Sequence, residues 1–257
     1  MALVTGGGRG LGRALARQLA TAGARVAVLA RSADELDETV TTIETGGGQA
    51  LAVRADVADP AQVDRALATI HHQWGPVEVL VNNAGVVSPL GPSVTVDPDD
   101  WATTVAINLT AAALVTFTLL PSMLEARWGR VVNVSSSIAA NPAGMPRANA
   151  YATTKAALEA HTLNLAGELE GTGVTVNVYR PGGVDTAMQG FIRGQDPGRI
   201  GTALHDRFVR NYQANALLSP DQSAASLLAR LTGDSTGQIW DASDPLPESP
   251  PPTGGSR

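Results

Sequence analysis

Tyr151 and Lys155 stand four residues apart in a stretch rich in Ala and Leu, Ala150 to Glu159. In a helix, side chains at that spacing leave the same face one turn apart. A phenol beside an ammonium has a chemical use. The positive charge favours phenolate and draws the Tyr pKa down from its reference of about 10. A Tyr tuned that way passes a proton to or from a substrate oxygen near neutral pH. Spacing alone is a weak signal, because a surface helix carries such a pair by chance. Composition adds weight: of the 18 basic residues only Lys155 is a lysine, and the others are arginines. Lysine is a compact point charge that fits beside a phenol and a ribose where a wide planar guanidinium does not.

A second chemical signal lies near the N-terminus. Ala2 to Thr5 reads as a short buried strand, and Gly6-Gly7-Gly8-Arg9-Gly10-Leu11-Gly12 leads into a helical pattern from Arg13 to Ala22. Strand, glycine turn and helix is the layout that sets a pyrophosphate on a helix N-terminus. The second strand, Ala24 to Ala30, ends in Arg31-Ser32, with no carboxylate before Asp34. An acidic residue there would accept from a ribose 2′-OH and repel a 2′-phosphate, whereas a guanidinium pairs with that phosphate through two bonds. Arg31, with Arg9 in the turn, therefore points to NADP(H) rather than NAD(H). Asp56-Val57, after a third strand from Gln49 to Arg54, offers a carboxylate to an adenine amino group or simply starts a turn.

The elements that must position these groups alternate. Helices are expected over Asp34 to Thr45 and from Asp59-Pro60, as N-cap and N1, to about Trp74. A fourth strand, Val77 to Val81, runs into Asn82-Asn83-Ala84-Gly85. A long helix from Trp101 to Arg127 carries Asn108, a poor mid-helix residue whose side chain is expected to bond something specific. A fifth strand ends in Ser135-Ser136-Ser137, and a sixth, Val174 to Tyr179, in Arg180-Pro181-Gly182-Gly183-Val184-Asp185-Thr186. Strands alternating with helices imply a parallel sheet covered on both faces. Residues 187–216 break the rhythm with glycines among apolar and basic residues, and read as a mobile loop-helix insertion that forms a lid over a substrate pocket. Ser219-Pro220-Asp221 opens a further helix, Gln238-Ile239-Trp240 forms a last short strand, and residues 245–257, rich in Pro, Gly and Ser, read as a disordered tail.

Composition excludes several classes. The chain has 257 residues, a net charge of −6 and no basic run, which argues against nucleic-acid or anionic-membrane partners. It has no cysteine, so disulfides and thiolate chemistry are absent, and its four histidines, His71, His72, His161 and His205, show no metal-binding spacing. No basic region followed by a long apolar run opens the sequence, so a cytoplasmic protein is expected. Ala102 to Leu124 is uncharged over 23 residues. Its Thr, Asn and Pro content makes a helix buried on all sides, partly by a second subunit, the better expectation than a membrane span.

Taken in order, Thr5-Gly6-x-x-x-Gly10-x-Gly12, Asp56-Val57, Asn82-Asn83-Ala84-Gly85, Asn108, Val134-Ser135-Ser136, Tyr151-x-x-x-Lys155 and Arg180-Pro181-Gly182 resemble the short-chain dehydrogenase/reductase family, over roughly residues 2–186. The resemblance implies one Rossmann-type, doubly wound domain over 1–244, with a seven-stranded parallel sheet in the order 3-2-1-4-5-6-7. It implies Tyr151 as general acid/base, Lys155 as the charge that lowers its pKa and holds the nicotinamide ribose, and Ser136 as the group that polarises a carbonyl. Asn108 would anchor a water-linked proton relay. Gly6, Arg9, Gly10, Leu11, Gly12, Arg31, Asp56, Val57, Asn83, Ala84, Gly85, Pro181, Gly182, Val184 and Thr186 would line the dinucleotide site. Ser135 or Ser137 remains an alternative hydroxyl, although strand register favours Ser136. Ser136 and Tyr151 are 15 apart, two more than is usual, so the loop between them is longer. The C-terminal strand departs from the family pattern, which leaves a homodimer as plausible as a homotetramer.

The implied activity is NADP(H)-dependent interconversion of a ketone and a secondary alcohol on a small-molecule substrate. A 3-oxoacyl-carrier-protein reductase is an alternative; it requires a basic patch, for which Arg193, Arg199, Arg207 and Arg210 are candidates. A non-catalytic NADP(H)-sensing protein is a further one.

Overall fold

The computed structural model describes residues 1–246. Seven parallel strands form its sheet: β1 Ala2–Thr5, β2 Arg25–Ala30, β3 Gln49–Arg54, β4 Val79–Asn82, β5 Gly129–Val134, β6 Val174–Arg180 and β7 Ile239–Asp241. Their order is β3-β2-β1-β4-β5-β6-β7, as the sequence implies. The chain winds outward from β1 to β3 and then returns to build β4 to β7 on the other side. The strand order therefore reverses between β1 and β4, where such sheets open a crevice at their carboxyl ends.

Strand alternation sends successive side chains to opposite faces. Leu3, Ala27, Leu29, Leu80 and Val131 pack on one face against α3 (Pro60–Trp74), α5 (Ala111–Glu125) and α6 (Asn149–Glu168). Val4, Val26, Val28, Val81 and Val132 pack on the other against α1 (Gly10–Thr21), α2 (Ala33–Thr45) and α10 (Pro220–Leu231). Both faces are buried, so the strands read as apolar runs and not as alternating ones. Local signals fix several helix ends. The Asp59 side chain accepts from Gln62 N at 3.2 Å with Pro60 at N1, and Ser219 and Gln222 form a reciprocal capping box.

The structure adds to the expectation in three places. The long helix begins at Pro98, and between α4 (Pro98–Val105) and α5 it passes through a π-helical turn, Ala106–Thr110, that contains Asn108. Its outer side is not buried in this chain: Leu114, Phe117 and Leu124 are exposed, Phe117 by 50%. Pro98–Glu125 is long and apolar enough to cross a membrane by length and composition, but Val115, Leu119 and Met123 pack its inner side into the core. Finally, residues 187–213 are mostly helical. α7 (Ala187–Arg193), α8 (Pro197–Ile200) and α9 (Thr202–Gln213) are separated at Gly194 and Gly201. Ile192, Ile200 and Leu204 pack with Val87, Ile138, Met145 and Ala152 in an apolar cluster of their own. The expected disordered tail lies, beyond Leu246, outside the described residues.

Candidate active site

A cleft of about 1080 Å³ opens above the carboxyl ends of β1, β4, β5 and β6. Ligand pockets commonly enclose about 300–1,000 Å³, so there is room for a dinucleotide and a second reactant. Every residue expected at the site lines this cleft except Asn108.

The first wall is backbone. Gly6 and Gly10 have φ of +65° and +54°, which side chains rarely adopt. A Cβ on Gly12 would lie 2.2 Å from Gly6 O and 2.5 Å from Asn83 Nδ2, and one on Gly6 would lie 2.9 Å from Ala84 Cα. The turn is held from behind. Arg13 Nε donates to Gly8 O at 3.0 Å, and the buried Thr39 hydroxyl donates to Gly7 O at 3.1 Å. Thr5 Oγ1 accepts from Asn83 N and Ala84 N, both at 3.1 Å, which joins β1 to the end of β4. No side chain caps the N-terminus of α1 at Arg9. Its first-turn amides are left facing the cleft floor, and a helix start of that kind attracts phosphate. The glycine cradle and the uncapped helix together fit a pyrophosphate-bearing cofactor.

At the far end of this wall lie Arg9, Arg31, Ser32, Glu35 and Asp56. Arg31, 66% exposed in its side chain, has Nη1 3.8 Å from Asp56 Oδ2, and Arg9 Nη1 donates to Glu35 Oε1 at 3.1 Å. Each guanidinium thus rests against a carboxylate. Glu35 carries no signal in the sequence, because it sits in the first turn of α2, past the strand end where a ribose-binding carboxylate is expected.

The second group gathers where β5 ends. Ser136 lines the cleft, while Ser135 is buried with its hydroxyl donating to Glu159 Oε1 at 2.8 Å, and Ser137 is exposed. All three line the cleft, and Ser136, whose Oγ accepts from Ile138 N at 3.4 Å, is the one beside the Tyr151 hydroxyl. Two 3-10 turns, Ser137–Ala139 and Pro142–Gly144, take up the longer link to α6. Lys155 Nζ lies 5.9 Å from the Tyr151 ring centre and donates to Val134 O at 2.7 Å. Burial pulls its pKa down to about 8, and the Glu159 charge opposes the fall.

The Tyr151 pKa moves opposite to the expectation. Burial of the hydroxyl pushes it up, and only the neighbouring Ser136 pulls it back. The lysine does not offset that burial in this state of the protein, because its ammonium is directed at a strand carbonyl.

Asn108, 1% exposed, bonds as expected of a mid-helix Asn, but stays out of the cleft. Its Nδ2 donates to Val86 O at 2.8 Å and Thr154 Oγ1 at 3.1 Å, and its Oδ1 accepts from Val86 N at 2.8 Å. It ties the segment after β4 to the residue beside Lys155. π turns occur frequently at functional sites.

The short chain dehydrogenase family model matches residues 1–197. The chain belongs to the short-chain dehydrogenase/reductase family. It is an oxidoreductase of that family, with an NAD(P) cofactor. It is 40% identical over 190 residues to a short chain dehydrogenase of Pseudocercospora fijiensis, covering 73% of this chain and 60% of that protein, so it spans under two thirds of that relative's length. It is 37% identical over 189 residues to a 3-oxoacyl-[acyl-carrier-protein] reductase of Synechocystis, covering 73% of this chain and 75% of the other. The crystal structure of an actinorhodin polyketide ketoreductase variant with NADPH superposes with a TM-score of 0.84 at 32% identity, over 93% of this chain and 94% of the other.

The last wall is supplied by residues 187–217. Met188, Phe191, Ile192, Phe208 and Leu217 face the cleft, with Val87, Ile138 and Met145 opposite. The four candidate arginines do not form one basic patch. Arg193 stacks on Tyr212 at 3.9 Å with Asp185 at 3.7 Å, and Arg199 Nε donates to Leu90 O at 2.8 Å. Arg207 and Arg210 are exposed, and Arg207 lines the cleft.

Proposed function

We propose that this protein is an NADP(H)-dependent reductase that interconverts a ketone and a secondary alcohol. The observation that carries the reading is the meeting, in one cleft, of Ser136, Tyr151 and Lys155 with the uncapped glycine turn of α1. Gly6, Gly10, Leu11, Gly12, Asn83, Ala84, Gly85, Val57, Pro181, Gly182, Val184 and Thr186 would hold the dinucleotide, with Asp56 at its adenine end. When bound, the nicotinamide supplies the hydride in reduction and takes it in oxidation. In reduction the Ser136 hydroxyl donates a hydrogen bond to the substrate carbonyl oxygen. Tyr151 then gives its proton to the alkoxide as it forms, and the Lys155 charge stabilises the phenolate left behind. A raised Tyr pKa in the free protein suits the acid, which must arrive protonated. Asn108 positions Lys155 through Thr154; the relay expected of it would run through its backbone or water, since both its Nδ2 hydrogens are engaged.

Arg9 and Arg31 support the choice of NADP(H), because β2 ends without the carboxylate that would repel a 2′-phosphate. The apolar side chains at the far wall support a ketone with a bulky apolar body, with residues 187–216 as its lid on a single 1–244 domain. The exposed Leu114, Phe117 and Leu163 on α5 and α6 support a homodimer or homotetramer built through that face. A carrier-bound 3-oxoacyl substrate is the second reading, favoured by Arg207 at the cleft.

Purified protein should oxidise NADPH with bulky apolar members of a broad ketone panel. Tyr151→Phe should lower that rate by about 10²–10⁴-fold while NADPH still binds, as read by nucleotide fluorescence. An unchanged rate refutes the assigned acid. Tight NADPH binding with no turnover on any carbonyl would instead mark a sensing protein.

A further inference from the structure

We propose that Glu159, clamped by Arg180, is a positioning residue. It holds the Ser135–Ser136 strand end, the Lys155 helix and the Arg180–Pro181 strand end in register, and it sets a carboxylate one helical turn from Lys155. The inference rests on the reading of the site given above.

Tyr151, Lys155 and Glu159 follow one another at intervals of four along α6, so they lie on one line of that helix. Glu159 is 7% exposed. Its Oε1 accepts from Ser135 Oγ and from Arg180 Nε, each at 2.8 Å, and its Oε2 accepts from Arg180 Nη2 at 2.7 Å. Arg180 meets it with the two-pronged geometry that suits a guanidinium and a carboxylate. Ser135 immediately precedes the hydroxyl at the cleft, and Arg180 immediately precedes the Pro181-Gly182 wall. One carboxylate therefore joins three segments that all contribute to the site.

A packed apolar pair would hold these segments together with no loss of stability, because burying two charges removes most of what their attraction gains. What an apolar pair would not provide is an anion one helical turn from an ammonium. Lys155 needs one. The titratable groups around it are Tyr151 and Glu159 from its own helix and Arg180 from β6, whereas β5 offers the Val134 carbonyl at 2.7 Å. Of these, only Glu159 is an anion. Asp241, at the end of β7, and Asp244, just after it, favour the charged form of Arg180 as Glu159 does, so Glu159 is not the sole counter-charge of that guanidinium. Burial already lowers the Lys155 pKa to about 8, and Glu159 is the group that resists a deeper fall.

The test is the pH profile of kcat/KM for NADPH-dependent ketone reduction. In the wild type, activity should fall as Lys155 loses its proton above about pH 8. In Glu159→Gln the alkaline fall should move to lower pH by about one unit, within the range for loss of a nearby opposite charge. Activity at pH 8 relative to pH 6.5 should then drop several-fold. Glu159→Asp, which keeps the charge, should retain the wild-type profile. If Glu159→Gln fails to fold with Arg180 unpaired, Arg180→Gln supplies the converse: it leaves the Glu159 charge without its guanidinium beside Lys155, so the alkaline limb should move to higher pH. An unmoved limb in either folded variant, whatever the loss of Tm or overall rate, overturns the inference and leaves the pair a structural clasp. A wild type without reductase activity overturns the reading of the site, and this inference with it. An active wild type with an unmoved limb overturns this inference alone.

Discussion

On the β1–β4 side, the cleft wall is main chain pressed against main chain. Gly6, Gly12 and the Asn83-Ala84 segment approach so closely that a single methyl would collide with a carbonyl. On the 187–217 side the wall is made of side chains: Met188, Phe191, Phe208 and Leu217, carried by short helices that pack on Tyr151 and Ile138. The contrast explains how the two walls divide their tasks. A backbone wall recognises groups that never vary, such as a pyrophosphate, and tolerates no substitution. A side-chain wall can be re-lined without moving the frame, so it is where substrate choice resides.

The contrast can be broken at both ends. The largest effect is expected from Gly12→Ala, whose Cβ would lie 2.2 Å from Gly6 O. It should abolish detectable NADPH binding in a fluorescence titration and lower Tm, and retained binding would show that the first wall has slack. Next comes Arg31→Asp. Charge-assisted bonds contribute about 1.5–3 kcal/mol, so kcat/KM for NADPH should fall about 10–100-fold while that for NADH holds or rises. An equal loss with both cofactors would mean that Arg31 reads no 2′-phosphate. Phe208→Ala on the side-chain wall should raise KM for a bulky ketone about fivefold, from lost apolar contact, and leave the NADPH affinity alone. The smallest effect is expected of Gly190→Ala. Its nearest neighbour there would be Arg193 Nη2 at 3.9 Å, and it lies within α7. Helical alanine is favoured over glycine by about 0.5–1 kcal/mol, so Tm should stay level or rise slightly with activity intact. A marked loss of activity would move the lid helix into the class of the rigid wall.

The first wall is legible in the sequence because its signals are local. Asp59-Pro60 announces a helix start, the glycine spacing announces a turn, and apolar runs announce strands buried on both faces. The lid is harder to read. Its glycines suggest a mobile loop-helix segment without fixing its helices; Gly194 and Gly201 end helices whose apolar sides meet residues 50 or more positions away, such as Val87 and Ile138. The Glu159–Arg180 clasp has no local signal either, since its partners are 21 residues apart and join only when β6 pairs with β5. The Tyr151 pKa fails for a related reason. A charge four residues away is visible in the sequence, but the atoms that will crowd round a hydroxyl are not.

The π turn at Ala106–Thr110 has a consequence for chain length. It adds one residue to the repeat, and one residue of an α-helix is about 100° of rotation. α4 and α5 are therefore offset in residue count, which lets one continuous rod staple Asn108 inward at its middle while Leu114 and Phe117 point away from the core further along. Because the turn bulges to hold the extra residue, losing one residue there would close it into plain α-helix, leave the apolar stripes on either side where they are, and cost the inward placement of Asn108. A residue lost from either flanking α segment would instead turn one stripe against the other, so the middle of this longest helix is where the count can change at the expense of the site and not of the core.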